Sequence, residues 1–505
     1  MTVNSEVAPA AARRALLSSF MGSVVEWYGF LLYGTASALV FDDLFFPNAG
    51  PTVATLAILA TFAVGEVSRP IGGVLFGHFG DRIGRRSVLM ATMLLMGLGT
   101  FAIGLLPTYD EIGMWAPVLL AVLRFVQGLA VGGEWGGAAL MAVEHAPSRR
   151  RGLWGSVSQL GSASGLLLST PVFALFAALP EGQFHAWGWR VPFLLAIVLG
   201  GIGLFVRART LETPVFAAER RPDGGRDRAP IVEVLRTGRG RLLAAIGLAV
   251  GPLGAQMITV VWVVSYAADR GYSNSVTLGA LIMISVVQLA VQPLFGLVTD
   301  SVGRRPVYAV GALLLAVNGF VLLWLVNTGS VTLFLLAFLI ATLIFCTMFG
   351  QAAALLAELF PTGVRYTGMS LAYQTASVLG SGFGPLIAAA LLAAAGGGAN
   401  TWLVSLFIAV ICMVSAACVL AVPETRGRSL TGVDLAAPGD QGGGAGGDAD
   451  GHRVNGGPEE AAAKAAAAWE PEVVALRAHL AQERHDDVVP IFGVEPFDRR
   501  MEDKR

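Results

Sequence analysis

Twelve apolar runs constrain this chain more than any other feature it carries. Val307–Val326 and Trp402–Val422 are examples, neither containing a charged side chain. A helix rises about 1.5 Å per residue, so ~20 residues cross a hydrocarbon core of ~30 Å. Lipid offers the backbone no hydrogen-bond partner, so runs of this kind must satisfy themselves as helices. They fall at approximately 16–40, 53–77, 87–106, 116–143, 153–178, 189–206, 241–268, 276–299, 307–326, 331–357, 369–394 and 401–422. Composition agrees, with 55% hydrophobic residues and 14% charged ones, against roughly a quarter charged in soluble domains. The predicted fold class is an all-α membrane protein with twelve transmembrane helices.

The loops sort by charge. On one side lie Arg13 and Arg14, Arg82, Arg85 and Arg86, Arg149 to Arg151, the Arg-rich segment 207–241, Arg304 and Arg305, and Arg365. The other side carries Asp42, Asp43, Asp110 and Glu111, with few cations beyond Arg190 and Arg270. The positive-inside rule makes the Arg side cytoplasmic, and an even number of spans puts both termini there. The first span is too long for the apolar core of a cleavable signal. Net charge is −1, which offers nucleic acid no attraction. The three cysteines sit in apolar spans without a CxxC pair and the six histidines form no ligand cluster, so neither a metal nor another cofactor is expected.

A duplication gives the architecture. Gly77-His-Phe-Gly-Asp81-Arg-Ile-Gly84-Arg85-Arg86 recurs 219 residues later (77 to 296) as Gly296-Leu-Val-Thr-Asp300-Ser-Val-Gly303-Arg304-Arg305. Each copy joins the second and third helices of a six-helix pseudo-repeat. Glu144, Pro147 and Arg151 recur as Glu358, Pro361 and Arg365 after the fourth helix of each repeat. The expected organisation is an N-terminus of 1–15, a six-helix half at 16–206, a linker at 207–240, a second half at 241–422 and a largely disordered tail at 423–505. Within the tail, 436–457 is rich in Gly and Asp, and Glu460–Lys464 opens a helical stretch. An Asp beside a helix N-terminus is stabilised by its dipole, and paired Arg side chains reach carboxylates such as Glu144 and Glu358. These residues are therefore expected to lock and release the cytoplasmic helix ends; the plainer alternative is cations that only set topology.

At this point the chain resembles the major facilitator superfamily, whose signature is similar to the GxxxDxxGRR loop. More narrowly it resembles the metabolite–proton symporter family. The residues carrying this are Glu26-Trp-Tyr-Gly-Phe30, Arg69-Pro-Ile-Gly-Gly73, Arg124-Phe-Val-Gln-Gly128, Gly132-Gly-Glu-Trp-Gly-Gly137, Glu358-Leu-Phe-Pro361, Arg365-Tyr-Thr-Gly368 and Pro423-Glu-Thr-Arg-Gly427. Over Gly77–Arg86 and Gly113–Glu144 the first half is most similar to shikimate permeases within that family. The resemblance implies a bacterial inner-membrane protein, monomeric in the bilayer, whose partners are a small-molecule substrate and a proton. Two positions depart from the family pattern: Gly29 stands where an Asp is usual, and Glu66 where an aromatic residue is usual.

Charges within the spans need a reason, because each costs at least about 2.5–3.5 kcal/mol at mid-bilayer. All five lie in the first half: Glu26, Glu66, Arg69, Arg124 and Glu134. With Tyr33 and Gln127 they form the candidate substrate and proton site, to which the second half adds uncharged Gln256, Gln288, Tyr373 and Gln374; Gln292, Asn318 and Gln351 are further polar groups there. An Arg could hold a carboxylate in a fork while a Glu carries a proton. Each has a bland alternative: Glu66 and Arg69, three apart, neutralise each other, and Glu134 sits among glycines suited to helix packing. One expectation is that Glu66 supplies the carboxylate missing at Gly29. The reading that results is proton-coupled uptake of a small organic acid by alternating access, against a zwitterion such as proline or betaine, an uncoupled facilitator or a sensor. No Walker loop and no nucleophile–base set points to an ATPase or an enzyme.

Overall fold

The computed structural model describes residues 9–48, 51–213, 229–428 and 430. They belong to the first of two compact units, Met1–Pro438. Expectations about the tail beyond Leu430 lie outside the described residues. The helices long enough to span a bilayer are α1 (Pro9–Leu39), α2 (Pro51–Ile83), α3 (Arg85–Leu105), α4 (Trp115–His145), α5 (Ser148–Ala177) and α6 (Glu181–Ala208). They continue with α7 (Arg239–Asp269), α8 (Asn274–Val302), α9 (Arg304–Asn327), α10 (Val331–Leu359), α11 (Thr362–Ala394) and α12 (Trp402–Ala421). Among the described residues eleven qualify as membrane spans on length and composition, and α2, with 33 residues, is the further long helix. No strand occurs among the described residues.

Several helices outrun the apolar runs that betray them. α2 continues six residues past 77 to Ile83 and so carries Asp81 in its last turn. Hydropathy sees only the lipid-facing core, whereas the helix persists where its charges find partners. The segment 207–240 is likewise not all loop. Arg207 and Ala208 complete α6, and Pro230–Thr237 is a short helix. Residues 214–228 lie outside the described ones.

Leu94, Leu98, Phe205, Val310, Trp324 and Leu386 are exposed on the outer faces of their helices. Such apolar surface suits a lipid surround and no aqueous one. Inside, α2 and α4 pack backbone to backbone. A Cβ at Gly128 would overlap the carbonyl oxygen of Gly65, one at Gly72 that of Leu129, and one at Gly132 that of Arg69. Without glycine at these crossings the helices would stand a side chain apart, as small-residue interfaces in membranes show. The two pseudo-repeats meet where α2 packs on α11 and where α5 packs on α8 and α10.

The duplicated loop has the same backbone in both copies. Gly84 and Gly303 precede α3 and α9 with φ of 113° and 122°, a region that side chains with a Cβ rarely enter. The repeat is therefore conformational as well as sequential.

Replacing Gly128 by Val should force α2 and α4 apart and cost roughly 1–3 kcal/mol, the usual range for overpacking. A thermal melt in detergent should show the loss. Gly201, whose added Cβ would meet nothing within 4 Å, is the control, and Gly201→Ala should leave the melt unchanged. Equal melts for both variants would contradict this packing.

Candidate functional site

A cavity opens among α1 to α4. Val25, Glu26, Gly29 and Phe30 line it from α1, Gly65 and Arg69 from α2, Met96 and Thr100 from α3, and Arg124, Gln127, Gly128 and Val131 from α4. The space between them is small, about 20 Å³. Its charged side chains are buried, so their interactions are little screened.

Arg124 sits over two aromatic rings, its Cζ 3.9 Å from the Tyr33 ring centroid and 5.5 Å from that of Phe62. Gly65 makes this possible, since a Cβ there would stand 2.9 Å from the guanidinium. Desolvated cation–π contacts are worth ~2 kcal/mol, so the aromatic faces hold the cation without neutralising it. Arg124 Nη1 donates to Gln127 Oε1 at 3.4 Å, and Gln127 Nε2 donates to Thr100 Oγ1 at 2.8 Å. Tyr33 shares a 2.6 Å hydrogen bond with Thr61. Arg69 stands 2.8 Å from Glu66 and 4.9 Å over Phe30. That ion pair is a contact of charges only, because neither Glu66 oxygen makes an aligned hydrogen bond. Glu26 Oε2, Arg69 Nε and Arg124 Nε are buried without hydrogen-bond partners.

Four of the expected site residues thus line one cavity: Glu26, Arg69, Arg124 and Gln127. Glu66 and Tyr33 stand behind them, each on a cavity arginine. Glu134 is elsewhere. Its carboxylate accepts from Arg207 Nη2 at 2.8 Å and Nη1 at 3.0 Å, and from Thr92 at 2.6 Å. Tyr373 stacks on Trp135 with centroids 3.4 Å apart, and Gln374 Nε2 donates to the Val131 carbonyl at 3.2 Å, so both join the two halves beside the cavity. Gln256 and Gln288 do not line it. Gly29 faces Thr100, whose hydroxyl would be 2.8 Å from a Cβ at 29. Thr100 and Gln127 therefore fill the neighbourhood of the Asp that the family pattern leads one to expect.

The Arg-bearing end is closed by reciprocal contacts. Asp81 on α2 accepts from the amides of Tyr366 and Thr367 at 3.1 and 2.9 Å, capping α11 of the other half. Asp300 on α8 accepts from the amides of Gly152 and Leu153 at 2.8 and 2.9 Å, capping α5. Gly77 and Gly296 let the helices meet, since a Cβ on either would come within 2.9 Å of the opposing backbone. Glu144 receives Arg85 at 3.3 Å from its own half and Arg365 at 3.0 Å from the other. Glu358 receives Arg304 at 3.5 Å and, across the seam, Arg151 at 3.9 Å. Arg86 and Arg305 donate instead to the carbonyls of Ala208 and Leu420 at the ends of α6 and α12.

A second repeated pair was not seen in the sequence. Glu212 accepts from the amides of Arg85 and Arg86, and Glu424 from those of Arg304 and Arg305, all at 3.0–3.2 Å. Each caps the helix after the duplicated loop. The signal was a Glu-Thr dipeptide after the sixth and twelfth helices. Burial opposes the Glu424 charge, yet the amides of Arg426, Arg304, Arg305 and Thr425 outweigh it and hold the carboxyl below the ordinary glutamate range.

With this geometry in view, a family model for the Major Facilitator Superfamily matches residues 16–371 and 281–474. The shikimate transporter of Escherichia coli K12 is 39% identical over 419 residues, covering 82% of this chain and 95% of the relative. The inner membrane metabolite transport protein YhjE of the same organism is 41% identical over 434 residues, covering 83% and 95%. The proline/betaine transporter of that organism is 34% identical, covering 84% and 86%. Among solved structures, the proton:xylose symporter XylE bound to 6-bromo-6-deoxy-D-glucose aligns with a TM-score of 0.68 at 21% identity, covering 83% of this chain and 98% of that one. At that identity the likeness speaks for the fold alone.

Two outcomes follow from the closed end. Asp81→Asn puts an amide where two backbone donors need acceptors, so hydrogen exchange at Tyr366 and Thr367 should quicken by about tenfold or more. Unchanged exchange there would contradict the cap. A carboxyl depressed in the folded state adds stability above its unfolded value, near 4.3, and loses it as pH falls through the folded value. The stability gap between wild type and Glu424→Gln should be full at pH 7 and close on acidification below about pH 4; a gap independent of pH would remove Glu424's charge from the account.

Proposed function

The chain belongs to the major facilitator superfamily, and from that premise we propose that it takes up a small organic acid by proton symport. The observation that carries this reading is two buried guanidiniums, Arg69 and Arg124, beside a buried carboxyl oxygen of Glu26 that has no partner. A substrate carboxylate would meet Arg124, the cation with aromatic rather than acidic neighbours. A proton on Glu26 would offset the charge the substrate brings. Glu66 is the less suitable carrier, because its carboxylate already has an arginine, Arg69, as a partner at 2.8 Å. The shikimate transporter among the relatives supports a carboxylate, since shikimate is a carboxylic acid.

The Arg-rich end is the cytoplasmic one in this proposal, with both termini inside a bacterial inner membrane. The contacts of Asp81, Asp300, Glu144 and Glu358 then form the inner gate. The halves, at about 16–206 and 241–422, rock about the cavity, and the clasp parts when that gate opens.

A zwitterion is the competing cargo. The Glu26 carboxyl, which lines the cavity beside Phe30, would suit its cationic end, and the proline/betaine transporter is also a relative. Uptake of radiolabelled shikimate into proteoliposomes, with and without an inward proton gradient, tests the proposal. With one proton per substrate, one pH unit should drive about tenfold accumulation. Glu26→Gln should abolish the gradient dependence, Arg124→Lys should lower uptake by about tenfold or more, and Glu66→Gln should keep the gradient dependence. Accumulation by Glu26→Gln at the wild-type level would remove Glu26 as the carrier. Uptake of betaine but not of shikimate would reassign the cargo.

A further inference from the structure

The chain does not leave the bundle when α12 ends. Thr425 and Leu430 are both buried, with 0% and 3% of their surface exposed, and Leu430 belongs to the core that includes Val234, Phe360 and Val364. The hydrogen bonds of this short stretch fall on the clasp itself. Thr425 Oγ1 donates to Glu358 Oε2 at 2.7 Å. The Arg428 carbonyl accepts from Arg151 Nη1 at 2.6 Å. The Leu430 carbonyl accepts from Arg365 Nη2 at 2.5 Å and from Thr362 Oγ1 at 3.0 Å.

Arg151 lies in the first turn of α5 in the first half and Arg365 in the first turn of α11 in the second. Each also faces a glutamate across the seam. One short stretch of backbone therefore accepts hydrogen bonds from both sides of the joint. Its reach is limited. Residues 428 and 430 are two positions apart, and two extended residues span at most about 7 Å. If the ends of α5 and α11 part by more than a few ångströms, the two carbonyls cannot stay on both arginines.

We propose that residues 423–428, together with Leu430, form an intramolecular strap that holds the Arg-bearing end shut and must release one half before that end can open. Glu424 anchors the strap at the start of α9, Thr425 ties it to Glu358, and Leu430 fixes its far end by burial. The strap is asymmetric, because both carbonyls come from the chain after α12 while the arginines come one from each half. It thus gives the closed state contacts that the reciprocal clasp alone does not supply. Nothing in this depends on which molecule the cavity takes.

The test is double electron–electron resonance on the full chain in nanodiscs, with the three native cysteines replaced by serine. Spin labels go on Arg82→Cys and Ser301→Cys, exposed equivalent positions at the ends of α2 and α8. Leu430→Asp places a charge in the buried anchor, and the long-distance population should rise by about tenfold or more over wild type, the size expected for losing a charge-assisted hydrogen bond. Leu430→Met should keep the wild-type distribution. If Leu430→Asp fails to fold, a Gly-Ser insertion directly after Arg428 lengthens the span between the two carbonyls and leaves Leu430 itself unchanged, and it should produce the same rise. A folded Leu430→Asp or insertion variant with the wild-type distribution overturns the proposal. No substrate is present, so failure of shikimate uptake and failure of the strap are separate results.

Discussion

A carboxylate or guanidinium among apolar helices has no water to screen it, and much of this structure follows from how each such charge is met. Glu134 meets Arg207, Glu144 meets Arg85 and Arg365, and Glu358 meets Arg304 and Arg151. Asp81 and Asp300 meet helix N-termini, where the exposed amides and the dipole favour a negative group. Breaking a buried pair by removing one partner typically costs ~3–5 kcal/mol, so these contacts specify which helix end sits against which. Around the cavity the compensation is different in kind. Arg124 is held by rings, and Glu26 takes part in no ion pair among the described residues. A site with charges met in part is one that a charged guest can complete.

The two ends of the bundle therefore do different work with the same side-chain types. At the Arg-bearing end, acids and bases are matched across the seam and the result is cohesion. In the cavity they are gathered in one half, and the second half closes on it with Tyr373 stacked on Trp135 and Gln374 on a backbone carbonyl. Motion at the seam would change the second set of contacts without dissolving the first-half cluster.

Much of the fold was legible in the sequence because its signals are local. Twenty-residue apolar runs announce helices, and the duplicated Gly77–Arg86 and Gly296–Arg305 loops announce a repeat with its register. Candidate charges were legible too, since a Glu or Arg inside such a run is conspicuous. Their partners were not. Helical periodicity relates residues on one helix, so it flagged Glu66 with Arg69 but could not join Glu134 to Arg207, which hydropathy assigned to a linker. Glu212 and Glu424 were missed for a related reason. They lie beyond the last apolar residue of their halves, and only the folded chain shows them capping α3 and α9. The positioning of Arg124 depends on Gly65 and Tyr33 from two other helices, a three-body arrangement with no counterpart in sequence spacing.

The reciprocity of the aspartate caps has a meaning beyond closure. Asp81 of the first half docks on α11 as Asp300 of the second docks on α5, and the arginine–glutamate contacts exchange in the same way. This is the pattern of an isologous interface, in which a patch on one subunit contacts the equivalent patch on its twin. The bundle is, at that end, a homodimer whose two protomers share a backbone. Among the described residues the dyad is broken at the cavity, whose charges lie in the first half, and at the carbonyls of Arg428 and Leu430, which follow the second. Symmetry here joins the two halves, and its loss marks where they differ.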